Sequence, residues 1–436
     1  MRLSWFIAAK IGKRGRGKLS RTGNIIAVCS VAVSLLVMLI AIAVSAGFRH
    51  QINDKMVGIR GDMLISPPSP TPLAEQEPQS FYLTPLSYID DIKQLPYVES
   101  VAPISYIPGI IKTDEHIQGV ILQGVDSSFN FDFIKENLLE GEIPFFASAN
   151  SANSAADSVS TTLEAAGSKA ENKILISRQM ADMLGFAKGD KITFYFISNP
   201  VKVRRLEIAG IYSANFENFD KRYIICSKEL VDRLSGLDSD EANLYQIYFT
   251  EHSQKLTSLR KDEIMGLIYE KMNETDPAVS ITSVYDNMYQ LVDWLNLLDV
   301  NVLIILVLMI AVAGFNMICC MLIILFENIS AIGVLKSLGM SDNGVLKVFL
   351  AKSCKVVLSG IAIGNIIALL FFFLQSRYNI ITLNPENYFL SSVPIKIGAT
   401  TILAVDILSF LIILLMVALP CRRICRTSIA KMLRFK

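Results

Sequence analysis

Apolar residues crowd into four stretches of this chain, roughly Asn24–Gly47, Leu297–Phe326, Val356–Leu374 and Ile397–Leu419. Each is long enough to cross a hydrocarbon core about 30 Å thick, which takes about 20 helical residues. One stretch is followed by a long polar interval, residues 48–296, and then three stretches lie close together. That spacing predicts four membrane helices, one plus three, with a large domain between the first two. Helical periodicity around the second stretch runs from near Tyr285 to Phe326, about 60 Å at 1.5 Å per residue. A helix that long is expected to rise past the bilayer as a stalk.

The polar interval alternates short apolar runs with turn signals, as a mixed α/β domain does. Met63–Ser66, Val98–Ile104, Gly109–Lys112 and Gly119–Gly124 read as strands, and Leu86–Leu95 as a helix with Leu86, Ile89, Ile92 and Leu95 on one face. Pro67 to Pro72 forms a stiff connector. Residues 147–170 are rich in Ser and Ala and read as a flexible insertion. A β-rich subdomain is expected over about 172–226. In it, Lys173–Ser177 leads into the helix Arg178–Leu184, and a hairpin joins Lys191–Ile197 to Val201–Tyr212 across Ser198, Asn199 and Pro200. A further helix is expected near Leu259–Met272.

Charge then orients the spans. Residues 1–23 carry seven basic residues and no acid, and the tail 420–436 carries Arg422, Arg423, Arg426, Lys431, Arg434 and Lys436, also with no acid. By the positive-inside rule both ends are cytoplasmic. The domain 48–296 and the loop 375–396 then face outward, and the loop 327–355, with Lys336, Lys347, Lys352 and Lys355 against Glu327 and Asp342, faces inward. The first span could be taken for a signal peptide by its basic flank and Ala41-Ile42-Ala43. Its apolar run exceeds the usual ~7–15 residues of a signal core, so a retained anchor is expected. The chain is 52% apolar with a mean hydropathy of +0.43, which fits a membrane protein with a globular insert.

Composition offers little chemistry. Of seven cysteines only Cys226 falls in the outer domain, so no disulfide is expected within it. His50, His116 and His252 are scattered, and no catalytic set, metal spacing or nucleic-acid motif is visible. Gly12, Gly17 and Lys18 have phosphate-loop spacing, but Leu19 stands where the Mg²⁺-binding hydroxyl belongs and no strand precedes them. A basic arm on anionic lipid explains them better. Asn273-Glu274-Thr275 is a chance-level glycosylation match.

Within the spans, Gly360 and Gly364, and Ser30 and Ser34, have the spacing that lets helices approach closely. Asp406 lies inside the fourth stretch and must face protein, water or a partner. The inner loop places Ile329, Ile332 and Leu335 near one helical face, with Gly339 as a stop. It is either an interfacial helix that turns the chain or a docking helix for a cytoplasmic partner.

Glu327 followed by Ile332-Gly333-Val334-Leu335-Lys336-Ser337-Leu338-Gly339 resembles the coupling-helix motif of ABC permeases of the FtsX/MacB superfamily. Within it the chain is most similar to lipoprotein-releasing permeases of LolC/LolE type. The supporting residues are Ser30-Val-Ala-Val-Ser34, Ala46-Gly47-Phe48-Arg49, Gly364-Asn365, Leu383-Asn-Pro-Glu-Asn-Tyr388 and Val393-Pro394. The resemblance covers most of the chain and implies an outer domain of MacB-like core type. It also implies a non-catalytic subunit that binds no cofactor itself, with ATP and Mg²⁺ held by a separate cytoplasmic ATPase dimer.

The implied setting is the bacterial inner membrane, with a second permease subunit, identical or paralogous. A lipoprotein is lifted from the outer leaflet to a periplasmic carrier. Glu327, Ile332, Gly333, Leu335, Lys336, Leu338 and Gly339 are then the ATPase-coupling residues. Ser30, Ser34, Gly47, Phe48, Gly360, Gly364 and Asn365 are packing or substrate-path residues. Ser198, Asn199 and Pro200 are the candidate carrier contact, although this hairpin is shorter than the hook of some members. The alternative is a mechanotransmission permease of the same superfamily that drives efflux or a periplasmic effector.

Overall fold

The computed structural model describes residues 18–68, 83, 86–113, 116–144, 172–196, 201–273, 276–327, 329–384 and 388–425. Most of the basic arm, most of the proline connector, the insertion at 147–170, the hairpin tip Ser198–Pro200 and the end of the tail lie outside the described residues.

In chain order the elements are α1 (Lys18–Arg60), β1 (Met63–Ser66), α2 (Ile89–Lys93), β2 (Val98–Lys112), β3 (Ile117–Val125), α3 (Asp132–Glu136) and β4 (Leu138–Gly141). Then come β5 (Lys173–Ser177), α4 (Arg178–Leu184), β6 (Lys191–Phe196), β7 (Lys202–Tyr212), α5 (Glu217–Asp220), β8 (Tyr223–Ser227), α6 (Lys228–Ser235) and β9 (Leu244–Phe249). The chain closes with α7 (Gln254–Lys271), β10 (Ser280–Ser283), α8 (Val284–Asn287), α9 (Tyr289–Glu327), α10 (Ile329–Ser337), α11 (Asp342–Tyr378) and α12 (Ala399–Cys425). They form two compact units. One comprises Met1–His50, Trp294–Thr382 and Ser392–Lys436; the other comprises Gln51–Asp293 and Leu383–Ser391.

The second unit is built on a sheet ordered β10-β1-β9-β2-β3-β8-β5-β7-β4. β6 pairs with both β7 and β2, so β2, β3, β8, β5, β7 and β6 close into a ring. Alternation explains the closure: β6 turns Ile192, Phe194 and Phe196 inward and leaves Lys191 and Tyr195 outside. Two of the ring's strands come from residues 98–125, upstream of the β-rich segment read from the sequence.

β2 is one strand of 15 residues, where the sequence suggested two. Its prolines explain the difference. Pro103 pairs with Tyr245 of β9, before pairing to β3 begins at Ser105. Pro108 pairs with Ile121 of β3, in the gap between the β9 register and the β6 register. Each proline has a strand on one side only, where a missing N–H costs little.

Two apolar cores support this unit. One gathers ring residues such as Ile111, Leu122, Phe194 and Leu206 under Met180 of α4 and Leu234 of α6. The other packs Ile89 and Ile92 of α2 and Ile264 and Ile268 of α7 against Met63, Ile247 and Phe249. α4 starts where the Ser177 hydroxyl accepts from the Met180 N–H at 3.0 Å and ends at Gly185 with φ +72°.

Four helices have sufficient length and apolarity to cross a membrane: Thr22–Arg60, Tyr289–Glu327, Asp342–Tyr378 and Ala399–Arg422. The second begins at Tyr289 rather than near Tyr285. A capping box at Ser283 and Asp286 nucleates the separate turn α8, and Met288 breaks away from helical geometry. The third begins at Asp342, well before the apolar stretch, because Ser341 caps it by accepting from the Gly344 N–H. Its first turns interleave Asp342, Asn343, Lys347 and Lys352 with apolar Val345, Val348 and Phe349, so they do not stand out as an apolar stretch.

Candidate functional site

The loop after α9 is the segment for which sequence motif and geometry can be compared most directly. α10 occupies Ile329–Ser337, and the Leu338 N–H still reaches the Val334 carbonyl at 3.1 Å. Gly339 then turns with φ +91°, its N–H donating to the Lys336 carbonyl at 3.0 Å. A positive φ there favours glycine on backbone grounds, since a Cβ would meet open space.

Side chains on α10 divide by face. Ile332 is buried in the helical core, and Gly333 is buried beside it. Val334 is 57% exposed and Leu338 79% exposed, one turn apart on one face. Lys336 is turned into the loop, where it pairs with Asp342 at 2.8 Å. Glu327, at the end of α9, is exposed. The Leu335 side chain lies outside the description. This short stretch therefore has a buried anchor, an internal brace and an exposed apolar pair.

The span residues singled out from the sequence do not meet at one point; they distribute over several helix contacts. A Cβ on Gly360 would lie 2.8 Å from Val31, and one on Gly364 would lie 2.9 Å from the Ala32 carbonyl oxygen. These two glycines are therefore where α11 presses on α1. Ser34 is buried, and Ser30 accepts a hydrogen bond from Asn316 Nδ2 at 2.7 Å, tying α1 to α9. A Cβ on Gly47 would run into the Pro394 carbonyl, and the Lys396 N–H donates to the Ala43 carbonyl at 3.1 Å nearby. Phe48 meets the Trp294 ring edge-on at 6.0 Å. Asn365 donates to Asp406 across α11 and α12 at 2.7 Å.

Several partners here were not singled out from the sequence. Asp299 accepts from Ser45 at 2.8 Å and pairs with Arg49, which also reaches Asn296. Gln375 is buried, and its amide closes on the Ile381 N–H and on the carbonyls of Ile381 and Val393. The available signal was a polar residue within or beside apolar sequence, as at Asn316 and Gln375.

In the sheet-based unit the polar residues are mostly internal. Lys55 is buried and donates to the carbonyls of Ala214 (2.7 Å) and Phe389 (2.8 Å). Burial pushes the Asp220 carboxyl up to about 6, against backbone N–H bonds that favour its charged form. Lys228 and Asp232 form a buried ion pair at 2.7 Å, completed by Ser105 and by the carbonyls of Ser239 and Glu241. Among the described residues no group of three His, Cys, Asp or Glu could hold a metal ion. The carrier-contact residues Ser198, Asn199 and Pro200 lie outside the description, but the strands that flank them pair in register from Lys191↔Glu207 to Phe196↔Lys202.

Residues 303–429 match the family described as FtsX-like permease C-terminal. Over 429 residues the chain is 19% identical to the lipoprotein-releasing system transmembrane protein LolC of Xylella fastidiosa strain Temecula1, covering 94% of this chain and 93% of that protein. It is 27% identical over 146 residues to LolC of Neisseria meningitidis serogroup B, covering 30% of this chain and 34% of that one. Among solved structures it resembles the periplasmic region of MacB from Actinobacillus actinomycetemcomitans, with a TM-score of 0.33 at 11% identity over 54% of this chain and 94% of that one. An FtsX-like permease segment at residues 303–429 and similarity to LolC along nearly its whole length are what relate this chain to known proteins.

Proposed function

We propose that the chain is the membrane subunit of an ABC transporter that extracts lipoproteins from the outer leaflet of the inner membrane and passes them to a periplasmic carrier. The observation that carries this reading is the segment Glu327–Gly339. It joins a family-like motif to an exposed pair, Val334 and Leu338, at the end of a helix of 39 residues. A cytoplasmic ATPase dimer, with its own ATP and Mg²⁺, would bind that pair. Lys336 and Gly339 would keep the segment in shape while it is pushed. α9 is about 58 Å long at 1.5 Å per residue, long enough to carry a displacement at Glu327 across the bilayer. In this reading both termini are cytoplasmic and a second permease subunit, identical or paralogous, completes the path.

The need for an ATPase follows from magnitude. Each acyl CH₂ leaving lipid costs about 0.8 kcal/mol, so lifting several acyl chains needs coupled hydrolysis. The likeness to proteins of lipoprotein-releasing systems favours lipoprotein as cargo over an efflux substrate. Affinity purification of the tagged chain from its native membrane tests the assembly. An ATPase subunit and trapped lipoprotein are the expected co-purifying species. An ATPase with a periplasmic hydrolase or efflux duct, and no lipoprotein, would overturn the cargo assignment.

A further inference from the structure

Asn365 of α11 and Asp406 of α12 meet inside apolar sequence, with Ile366 and Ile367 beside one and Val405, Ile407 and Leu408 beside the other. One hydrogen bond joins them, from Asn365 Nδ2 to Asp406 Oδ2 at 2.7 Å. The remaining oxygen of each side chain, Asn365 Oδ1 and Asp406 Oδ1, is buried and has no partner. Among the described residues no cation forms an ion pair with Asp406.

An ionised carboxylate fits these facts poorly. It has only acceptors to offer, as does the orphaned amide oxygen, so both would stay unsatisfied. Its charge would also lie unpaired in a low-dielectric span. A single proton on Asp406 Oδ1 removes both difficulties. The acid O–H supplies the missing donor, the Asn365 carbonyl oxygen is the vacant acceptor, and the charge is gone. Two planar groups of this kind close head to head through two hydrogen bonds.

We infer that Asp406 is a proton-holding site: a neutral carboxylic acid closed on the Asn365 carboxamide, clasping the third span to the fourth. The clasp goes beyond the proposed transport reading and does not depend on what is transported. It also assigns Asp406 a fixed proton rather than a role as a cation-binding charge.

Infrared difference spectroscopy on the full-length chain in lipid nanodiscs at pH 7 tests this. The wild type is expected to show the carbonyl stretch of a protonated carboxylic acid that Asp406→Asn lacks, and the band should shift on transfer to deuterated water. In Asn365→Ala and Asn365→Leu the band is expected to persist at the higher frequency of an acid that donates no hydrogen bond. Asp406→Asn keeps the shape and neutrality of the acid, so its melting temperature should match the wild type. No band difference between wild type and Asp406→Asn would overturn the neutral acid. A band that stays in place in both Asn365 variants would overturn the pairing. An Asp406→Asn chain that fails to fold would count against both.

Discussion

His252 Nδ1 lies 2.9 Å from a carboxylate oxygen of Asp62, a residue with no exposed surface. The same carboxylate accepts from the Phe249 N–H at 2.8 Å, and the Asp62 backbone bonds to Ile247 and Val284. Asp62 therefore ties β1 to β9 and to the start of α8, and the half-exposed imidazole completes its hydrogen bonding.

That contact is expected to give the sheet-based unit a pH dependence. The hydrogen bond to Asp62 raises the His252 pKa above its ordinary 6.5, with lesser contributions from Asp54 and Glu99. The folded state then binds the proton more tightly than the unfolded state. The stabilisation is complete below about pH 6.5 and is lost as pH rises through the raised value. His252→Ala should flatten this part of the melting-temperature profile. A profile unchanged by the substitution would remove His252 as its source.

Asp220 has the same sign in a lower window. Its carboxyl titrates at about 6 in the folded chain and near 3.9 when unfolded. Stability is therefore expected to fall between about pH 4 and pH 6 on its account. Asp220→Asn should remove that slope, measured by denaturant unfolding across the range.

The buried Lys228–Asp232 pair makes a larger prediction. Removing the lysine in Lys228→Ala leaves a buried carboxylate that, among the described residues, keeps the Ser105 hydroxyl as its side-chain hydrogen-bond partner. The expected cost is about 3–5 kcal/mol, read as a lower denaturant midpoint at unchanged slope. Asp232→Asn, which removes the charge and keeps an acceptor, should be milder.

Close packing of α11 on α1 predicts intolerance at Gly364. A leucine there would overlap the Ala32 carbonyl and Leu35, with an expected cost of about 1–3 kcal/mol. Thermal unfolding in detergent measures it. Gly398, where a Cβ would make ordinary contacts with the Thr400 and Thr401 hydroxyls at 3.5 and 3.8 Å, is the control and should accept alanine with little change.

The loop after α9 predicts uncoupling. Leu338→Asp places a charge on the exposed apolar pair. Gly339→Pro demands φ near −65° where the chain has +91°. Both should leave the sheet-based unit folded while reducing lipoprotein release per ATP hydrolysed by at least tenfold. Unchanged release in reconstituted membranes would mean that the loop only turns the chain.

The spans, the strands around the hairpin and the short helix ending at Gly339 were legible because each depends on local sequence: apolar length, alternation, or a glycine after a helix. Ring closure was not, since it depends on β2 meeting β6 at Gly109–Ile111, far apart in sequence. The start of α11, which Ser341 caps, was hidden by first turns that mix charged and apolar residues. Asp406 could be flagged by its cost in lipid, but naming Asn365 as its partner needed the helix pairing. Lys336 carried the motif legibly, yet its turn inward to Asp342 is a matter of loop geometry.

The most direct test is the fate of a pulse-labelled lipoprotein in cells depleted of this chain. The account predicts that the mature, acylated lipoprotein accumulates in the inner membrane, and that the wild-type chain restores its delivery while Leu338→Asp does not. Delivery to its normal destination at the normal rate during depletion would contradict it.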